Sequence, residues 1–392
     1  MQSILFIHPS NELYGADRSL LRLVRGLDKS SYAPHVVVAN DIEYDGLLTA
    51  ELTQSHIPYT EMNLGVLRRR YQNVTGIGRF AYRTWAAGRE IKQYCQKQNI
   101  RLIHSNSSAV LAGGFGARSA GVPHVWHIRE IITQPTWLNK LIATNLKHYA
   151  TRVIAVSQPV KDNLVRVQPQ LADKCVVIYN GINPTPFFDV NATAVSQMRA
   201  SWGIKPDDMV VGMVGRISSW KGQGFLLEAI RPLLADQKNV RLVMVGGNVP
   251  GEEWRKQDLQ KSIRDWGLEN LVFIDDFRLD IPAVLAAFDI FVLPSTRPDP
   301  FPTVVLEAMA TGKPIVATAH GGALEQLDPD KTGFLVSPTD TSEMTAALAQ
   351  LIQNPQLRKT MGHNAKKRLL KHFTVDVHLQ KISHLYESML GK

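Results

Sequence analysis

Cysteine is nearly absent from this chain of 392 residues, which contains only Cys95 and Cys175. Two cysteines do not make a disulfide framework, so the sequence is not that of a small disulfide-stabilised secreted domain. Long apolar runs are also missing, since VVGMV and FDIFVL fall far short of the roughly 20 residues needed to span a bilayer. The first residues, MQSILFIHP, lack a charged segment before their apolar run and indicate a strand rather than a signal peptide. These absences predict a cytoplasmic protein.

Acidic residues are scarce in the first half of the chain only. Residues 1–185 hold 21 of the 44 basic and 12 of the 35 acidic side chains, so the whole formal excess of +9 lies there. The segment LRRRYQNVTGIGRFAYRTWAAGREIK, Leu67 to Lys92, contributes seven basic residues against one acid. This asymmetry predicts an anionic partner, such as a membrane surface, nucleic acid or phosphorylated substrate. A solvated basic surface is the alternative.

Short apolar strands alternate with helical segments along the chain. SILFIHP, HVVVAN and RLIHSNS in the first half, and MVVGMVG and VRLVMVGG in the second, are rich in Val, Ile and Leu. Near-continuous apolar strands separated by helices predict parallel sheets covered on both faces. NPTPFFDVNAT, residues 183–193, interrupts the alternation and is expected to be a linker. The predicted fold class is α/β, with two Rossmann-like doubly wound domains, residues 1–185 and 186–373, facing a cleft.

Glycines and two cations follow the first strand of the second series, in GMVGRISSWKGQGFLLEAI. This strand is expected to end at Gly215, and a helix is expected to begin near Gln223. A helix N-terminus offers unpaired N–H groups and the positive end of its dipole, so Arg216 and Lys221 beside it suit a diphosphate. A glycine-rich turn with two solvated bases is the alternative.

Two carboxylates lie eight positions apart in RPDPFPTVVLEAMATGKPIVAT, residues 297–318. The prolines keep the residues before them out of helical conformation, so the helix should start near Thr303. Asp299 then lies in the loop and Glu307 lies one turn inside the helix. The N–H groups of Thr303 and Val304 favour a phosphate, whereas the carboxylates suit sugar hydroxyls. An ordinary turn acid and a solvated helix residue are the alternative.

GRISSWKG, followed by PSTRPDPFPTVVLEAMATGKPIVATAHGGALE, resembles the retaining GT-B glycosyltransferases of family four. There, an acid, seven further residues and Glu precede a small-residue run, and the likeness extends over nearly the whole chain. The resemblance implies that Arg216 and Lys221 neutralise the diphosphate of a nucleotide sugar. It also implies that Glu307 holds the ribose and that Asp299 contacts the transferred sugar. The family's first acid is usually Glu in EGFG, so Asp299 in DPFP leaves the donor sugar open.

The first half resembles the same family. HPSNELYGADRSLLRLV looks like the family's first strand and helix start, which puts Gly15 nearest the phosphates. PHVWHIRE is expected to carry the family's active-site histidine as His127, in a loop facing the cleft. Asn106, after RLIHS, and Arg129 are the acceptor-side candidates.

The resemblance leaves three catalytic candidates, His127, Asp299 and Glu307. Phe277 and Arg278, after LVFIDD, occupy the region in which the family holds the nucleotide base. No His, Cys and Asp cluster has the spacing of a metal site, and no cofactor is expected besides the donor substrate. Cations and helix dipoles can stabilise the negative charge that a metal would otherwise stabilise.

The sequence thus predicts a metal-independent retaining glycosyltransferase that moves a hexose from a nucleotide diphosphate sugar to an acceptor hydroxyl. The first domain would bind the acceptor and the second the donor, while residues 374–392 would form a helix that returns to the first domain, as in the family. Basic and aromatic residues in the Arg68–Lys92 region suit an anionic bilayer. A lipid-linked saccharide acceptor is therefore expected, in bacterial surface polysaccharide or lipopolysaccharide synthesis at the inner face of the cytoplasmic membrane.

Other functions compete with this one. A soluble glycosyltransferase with a small-molecule acceptor and a non-catalytic nucleotide-sugar-binding protein both remain open, and a non-hydrolysing nucleotide-sugar epimerase shares the fold. The EAMATG context with Arg216 and Lys221 argues against the epimerase, and the charged donor residues argue against a non-catalytic protein. Nucleic acid is not an expected partner, because the basic segment is not interleaved as a stacking platform.

Overall fold

The computed structural model of the protein describes residues 1–68, 74–249 and 251–391. The chain divides into two compact units, the first comprising Met1–Gly181 and Val375–Lys392 and the second comprising Ile182–Thr374. The division falls at Gly181, a few residues before the position that the sequence suggested.

The first unit is built on a seven-stranded parallel sheet with the strand order β3-β2-β1-β4-β5-β6-β7. Its strands are β1 (Gln2–His8), β2 (Tyr32–Ala39), β3 (Tyr59–Met62), β4 (Leu102–Ser105), β5 (His124–Ile128), β6 (Arg152–Ala155) and β7 (Cys175–Val177). Its helices before the linker are α1 (Gly15–Gly26), α2 (Leu47–Gln54), α3 (Val74–Lys97), α4 (Ala112–Ala120), α5 (Thr136–Tyr149) and α6 (Gln158–Val167).

The second unit is built on a six-stranded parallel sheet with the strand order β10-β9-β8-β11-β12-β13. Its strands are β8 (Met209–Val214), β9 (Val240–Val245), β10 (Val272–Asp275), β11 (Ile290–Leu293), β12 (Ile315–Thr318) and β13 (Gly333–Val336). Its helices are α7 (Ala192–Ser201), α8 (Gln223–Asp236), α9 (Trp254–Asp265), α10 (Ile281–Ala287), α11 (Thr303–Ala310), α12 (Ala323–Gln326), α13 (Thr341–Gln353) and α14 (Pro355–His372). The last helix, α15 (Val375–Leu390), belongs to the first unit.

Strand β1 shows why an apolar run becomes a central strand. Ile4 and Phe6 face a core shared with α1 and α15, whereas Leu5 and Ile7 face a second core shared with α3 and α4. All four side chains are fully buried, as expected for a parallel sheet covered on both faces. The prediction of two doubly wound α/β domains is confirmed.

The sequence pattern did not indicate two of the four edge strands, β3 and β13. Edge strands are short and partly exposed. Strand β3 has the sequence YTEM, and Met62 is its one buried residue. Such a strand lacks the apolar run that marks a central one.

Candidate active site

Each sheet has one position at which the chain reverses its direction across the sheet. In the first unit, the chain runs from β1 outward to β3 and then continues from β4 on the other side of β1. In the second unit, β8 and β11 are the corresponding neighbours. In doubly wound sheets the loops at the carboxyl ends of such strands form the ligand site.

Two loops meet at this position in the second unit. Gly222, at the end of the loop after β8, has a φ of +83°, and a Cβ atom there would lie 1.8 Å from the carbonyl oxygen of Pro294 after β11. The backbone N–H of Thr296 donates to the carbonyl oxygen of Trp220 at 2.8 Å. Only glycine fits this close approach, and it places the N-terminus of α8 next to the loop that carries Asp299.

Opposite charges from these two loops contact each other. Lys221 Nζ lies 2.6 Å from Asp299 Oδ2, and the ammonium group also lies 4.3 Å from the centre of the Trp220 ring. Arg216 belongs to the same loop as Lys221. The sequence analysis assigned Lys221 to a diphosphate and Asp299 to a sugar. In the structure these two side chains contact each other.

Helix α11 begins where the prolines predict. Pro302 is its N-cap residue, and Thr303 and Val304, the first two helical residues, are partly exposed. Their N–H groups have no partner inside the helix, as at any helix start. Glu307 lies one turn further on and is only 9% exposed, so the alternative of a solvated helix residue is wrong for this carboxylate.

Several polar atoms after the strands of the second unit are buried without a hydrogen-bond partner in the described part of the chain. They are Ser218 Oγ after β8, Asn248 Oδ1 after β9, Ser295 Oγ after β11 and His320 Nδ1 after β12. His320 Nε2 donates to the carbonyl oxygen of Ser295 at 2.7 Å, which leaves Nδ1 as an acceptor. Burial lowers the pKa of His320, which favours this neutral form. These atoms can serve a polar ligand.

Phe277 and Arg278 lie just beyond β10. The side chain of Phe277 is 58% exposed. Arg278 contacts Asp280 at 2.8 Å and Asp275 at 3.3 Å, and the Asp280 carboxylate raises the pKa of the guanidinium. The charge of Arg278 is therefore engaged by two acids, while the Phe277 ring is available for stacking.

A hydrogen-bonded network occupies the corresponding edge of the first unit. Asn106 accepts from Arg129 Nε at 2.9 Å, and its amide nitrogen lies 2.9 Å from His8 Nδ1. Because a guanidinium only donates, the Asn106 oxygen faces Arg129 and its NH₂ group donates to His8. His8 Nε2 then donates to Asp17 at 2.8 Å. Burial opposes ionisation of Asp17, but hydrogen bonds from His8, Ser10 and the backbone lower its pKa.

Asp17 also determines how α1 begins. Its second carboxylate oxygen accepts from the backbone N–H of Tyr14 at 3.0 Å. This leaves Gly15 as the first helical residue, exposed, with no atom within 4 Å of the position that a Cβ would occupy. The protein itself therefore has no steric need for glycine at this helix start.

His127 lies within β5 and is fully buried, so its predicted position in a loop is wrong. Strand pairing with β6 continues through Ile128 and carries His127 into the sheet, and only Arg129 and Glu130 follow the strand. His127 Nδ1 lies 3.2 Å from His104 Nε2 and 3.4 Å from Arg129 Nη2. Its Nε2 atom has no hydrogen-bond partner among the described residues. Burial, with the nearby Arg129 charge, holds the pKa of His127 well below its usual value.

The sequence-based prediction did not single out His104, His378 or Tyr386. His104 stands inside the buried strand β4, and a histidine within an apolar strand is the signal that could have identified it. The rings of His378 and His127 stack with their centres 6.2 Å apart. His378 and Tyr386 lie on α15, far from the other site residues in sequence, so no local pattern could place them.

The predicted membrane segment divides into two parts with different surroundings. Arg68 contacts Asp41 at 2.7 and 2.8 Å and also approaches the hydroxyl of Tyr44, so its charge is neutralised within the first unit. This pairing reduces the charge that Arg68 can offer to an anionic surface, and its place on a membrane-facing surface stays a prediction. Arg69, Arg70 and Tyr71 lie outside the described residues.

Helix α3 carries the rest of this segment and exposes aromatic and basic side chains together. Ile77, Tyr82 and Trp85 are between 51% and 62% exposed, and the Arg89 guanidinium lies 5.1 Å from the Trp85 ring centre. We call the following set the α3 surface: Ile77, Arg79, Tyr82, Arg83, Trp85 and Arg89. Among the described helices, none is both long and apolar enough to cross a bilayer. Over the same residues, His, Cys, Asp and Glu form no group of three that could hold a metal ion.

Two doubly wound parallel-sheet units, each with polar side chains at its point of strand reversal, are the architecture of the GT-B fold. Two family models match the chain, Glycosyltransferase Family 4 over residues 14–185 and Glycosyl transferases group 1 over residues 195–368. Together these matches cover most of the chain, which belongs to the glycosyltransferase family that they describe.

Solved structures and characterised relatives are similar over most of their length. HepE of Anabaena in complex with UDP is 28% identical, with a TM-score of 0.84 over 99% of this chain and 100% of that chain. A D-inositol 3-phosphate glycosyltransferase of Corynebacterium kroppenstedtii is 26% identical over 92% of this chain and 78% of its own. The UDP-Gal:alpha-D-GlcNAc-diphosphoundecaprenol alpha-1,3-galactosyltransferase of Escherichia coli is 27% identical over 75% of this chain and 77% of its own.

Proposed function

We propose that this protein is a retaining, metal-independent glycosyltransferase that uses a nucleoside diphosphate hexose as donor. The observation that carries the proposal is the pairing of Lys221 with Asp299 at the strand reversal of the second unit. At this position, a cation that suits the diphosphate and an acid that suits sugar hydroxyls are joined by one hydrogen bond. HepE, solved with UDP and in a further structure with UDP-glucose, supports a donor of this class.

Each part of the donor has a matching group in the second unit. The N-termini of α8 and α11, with Arg216 and Lys221, supply N–H groups and positive charge for the diphosphate. The buried carboxylate of Glu307 suits the vicinal hydroxyls of the ribose, and Asp299 suits those of the hexose. The exposed ring of Phe277 offers a stacking surface for the base, with Arg278 beside it.

The reaction requires stabilisation of the diphosphate as the bond to the anomeric carbon breaks. Arg216 and Lys221 stabilise this charge in the transition state more than in the ground state, because it grows as the leaving group departs. An oxygen of the leaving diphosphate takes the proton of the acceptor hydroxyl, which attacks the same face of the sugar. The configuration at the anomeric carbon is therefore retained. The two cations and the helix N-termini take the charge-stabilising part that a metal has in other transferases.

A donor panel tests the reaction. Purified protein is incubated with UDP-, GDP- and ADP-hexoses and candidate acceptors, with and without a chelator, and nucleoside diphosphate release is measured. We expect release with one donor class, dependent on acceptor and unchanged by chelator. Loss of activity with chelator that magnesium or manganese restores contradicts metal independence. Tight nucleotide-sugar binding without release under any acceptor favours the non-catalytic alternative.

The proposed acceptor is a lipid-linked saccharide that the first unit binds at the cytoplasmic face of the membrane, in surface polysaccharide synthesis. The Escherichia coli relative, named for a diphosphoundecaprenol-linked acceptor, supports this class. The α3 surface combines exposed aromatic rings with three arginines, and each basic residue near an anionic bilayer contributes about 1 kcal/mol. Arg68 is not counted in this charge, because it is paired with Asp41.

Liposome sedimentation tests the membrane part. The variant Arg79→Gln/Arg83→Gln/Arg89→Gln is compared with Lys359→Gln/Lys367→Gln/Lys371→Gln, which removes the same charge from exposed positions of α14. We expect binding to rise with the anionic lipid fraction and to fall only in the α3 variant. Equal binding by both variants, or none at low salt, favours a soluble enzyme with a small acceptor.

A further inference from the structure

A chain of hydrogen bonds connects the C-terminal helix with His127. The hydroxyl of Tyr386 on α15 lies 2.7 Å from His104 Nδ1, and His104 Nε2 lies 3.2 Å from His127 Nδ1. All three side chains are fully buried. These hydrogen bonds thus join the last helix, through His104 in β4, to the candidate catalytic histidine in β5.

The groups at the two ends of this series of hydrogen bonds, Arg129 and Tyr386, determine which ring nitrogens of His104 and His127 carry protons. Arg129 Nη2, which lies 3.4 Å from His127 Nδ1, can only donate, so His127 Nδ1 accepts. Within the described residues, the Tyr386 hydroxyl has His104 as its hydrogen-bond partner, so it donates to His104 Nδ1. His104 therefore carries its proton on Nε2 and donates to His127, which in turn carries its own proton on Nε2.

The opposite direction of donation is less favourable at the Arg129 end. A proton on His127 Nδ1 would face the N–H of Arg129, setting two donors against each other. A proton on His104 Nδ1 would occupy the Tyr386 oxygen and leave the hydroxyl proton without an acceptor among the described residues. Each direction leaves one buried donor without an acceptor among the described residues, the Tyr386 hydroxyl in the opposite direction and His127 Nε2 in the favoured one. The contact between Arg129 and His127 Nδ1 therefore decides between them.

We propose that Tyr386 and His104 are positioning residues that hold His127 in the tautomer protonated at Nε2, so that His127 presents a hydrogen-bond donor to the sugar substrate. This inference rests on the proposed function for the identity of the substrate. His127 Nε2 is buried and has no partner among the described residues, so a substrate hydroxyl or ring oxygen can accept from it. His127 then acts by donating a hydrogen bond and not as a general base.

The protonation states of the neighbouring groups are consistent with this assignment. Burial, followed by the charge of Arg129, holds the pKa values of His104 and His127 well below the usual range, so both rings are neutral near pH 7. Burial lowers the pKa of Arg129 to about 10, which leaves it charged. Burial raises the pKa of Tyr386, so the hydroxyl keeps its proton.

Tyr386→Phe removes the hydroxyl and keeps the ring, so it tests the relay without emptying the core. Protein labelled with ¹⁵N-histidine is studied by long-range ¹H–¹⁵N correlation, which distinguishes protonated from unprotonated ring nitrogens, and His127→Gln assigns the signals. We expect wild-type His127 to be protonated at Nε2 and the variant to populate the Nδ1 form. Turnover should fall about 3- to 10-fold, as for the loss of one buried hydrogen bond.

Tyr32→Phe is the matched control. Tyr32 packs edge-on against Tyr386 with ring centres 5.7 Å apart, but its hydroxyl bonds to Ser383 and not to a histidine. It should change neither the tautomer nor turnover. His104→Gln keeps an amide N–H near the Nε2 position, so it should retain the His127 tautomer. Adding Tyr386→Phe to His104→Gln should then change the tautomer and turnover very little.

A His127 that stays protonated at Nε2 in Tyr386→Phe overturns the proposal, as does a wild-type His127 protonated at Nδ1. The spectra need no substrate. A tautomer change in a protein that turns over no donor therefore supports the relay and counts against the proposed function instead.

Discussion

Single residues of the second unit contact each other as well as being the proposed donor-binding groups. Lys221 and Asp299 are each other's ion-pair partners, and both are mostly buried. Removing one partner leaves the other with an uncompensated charge, which costs more than the pair contributes. Effects of substitution on ligand affinity must therefore be separated from effects on folding.

Arg216→Ala and Lys221→Ala are each expected to weaken nucleoside diphosphate binding by about 1.5–3 kcal/mol, because each removes a charge-assisted hydrogen bond. Lys221→Ala should also lower the free energy of unfolding, since Asp299 loses its partner. Calorimetric titration with the nucleotide, beside urea unfolding, measures both quantities. Lys359→Ala, which removes an exposed charge from α14, is the control. Unchanged affinity in both site variants contradicts the diphosphate assignment.

The two acids of the second unit are expected to differ in their effect on donor choice. Glu307→Gln should reduce turnover with every donor, because all nucleotide sugars share the ribose. Asp299→Glu should change the ranking of donor sugars, because a longer side chain displaces the carboxylate from the hexose hydroxyls. Turnover across a donor panel is the measurement, with the exposed Glu228→Gln in α8 as control. The same ranking in wild type and Asp299→Glu would refute this division of roles.

At the scale of elements, the site depends on how closely two strand-end loops approach. The loops after β8 and β11 touch at Gly222 and Pro294, and this contact brings α8 next to the loop before α11. Both helices start within or beside the loops that carry the charged residues. The backbone contact thus brings the positive N-terminal ends of α8 and α11 close to the charged side chains of the two loops.

Gly222→Ala is expected to lower the free energy of unfolding by at least about 2 kcal/mol, because it combines a positive φ with a clash against Pro294. Gly224→Ala is the matched control, two residues away. That position is helical and exposed and has no atom near the added methyl group, so alanine should be neutral or stabilising by up to about 1 kcal/mol. Urea unfolding of both variants gives the comparison, and equal stabilities would contradict the proposed loop contact.

At the scale of the whole molecule, the two units differ in their buried histidines. The first unit contains four fully or almost fully buried histidines besides His8, namely His104, His124, His127 and His378. Burial lowers the pKa of His124 and of His378 to about 4 in the folded protein. Neutral buried imidazoles make the first unit the more acid-sensitive one.

The first unit is expected to lose stability as the pH falls from about 6.5 towards 4. In this window the unfolded chain binds protons that the folded unit does not, so the free energy of unfolding falls with pH. One pKa unit corresponds to about 1.4 kcal/mol, so the loss should reach several kcal/mol. Hydrogen exchange, corrected for intrinsic rates, reports each unit separately. His378→Asn should weaken the dependence, and equal protection of the first unit at pH 7 and pH 5 would contradict it.

Local sequence patterns alone indicated most of the strands, their parallel arrangement and the position of most donor-side candidates. Apolar runs with glycine or proline after them mark where a strand ends, and this is why Arg216, Lys221 and Asp299 could be assigned to loops beyond strands. The start of α11 was predictable for the same reason, since proline restricts the residue before it. Such patterns report backbone conformation and burial over a few residues.

Pairing between distant side chains was decided only by the tertiary structure. Lys221 and Asp299 are 78 residues apart, and His104 and Tyr386 are 282 residues apart. Their contacts depend on strand order and on the packing of α15 against the first sheet, neither of which leaves a local periodicity in the sequence. Arg68 illustrates the same limit, because composition placed it on a basic surface and packing paired it with Asp41. A sequence shows which residues carry charge, whereas the fold decides which charges meet.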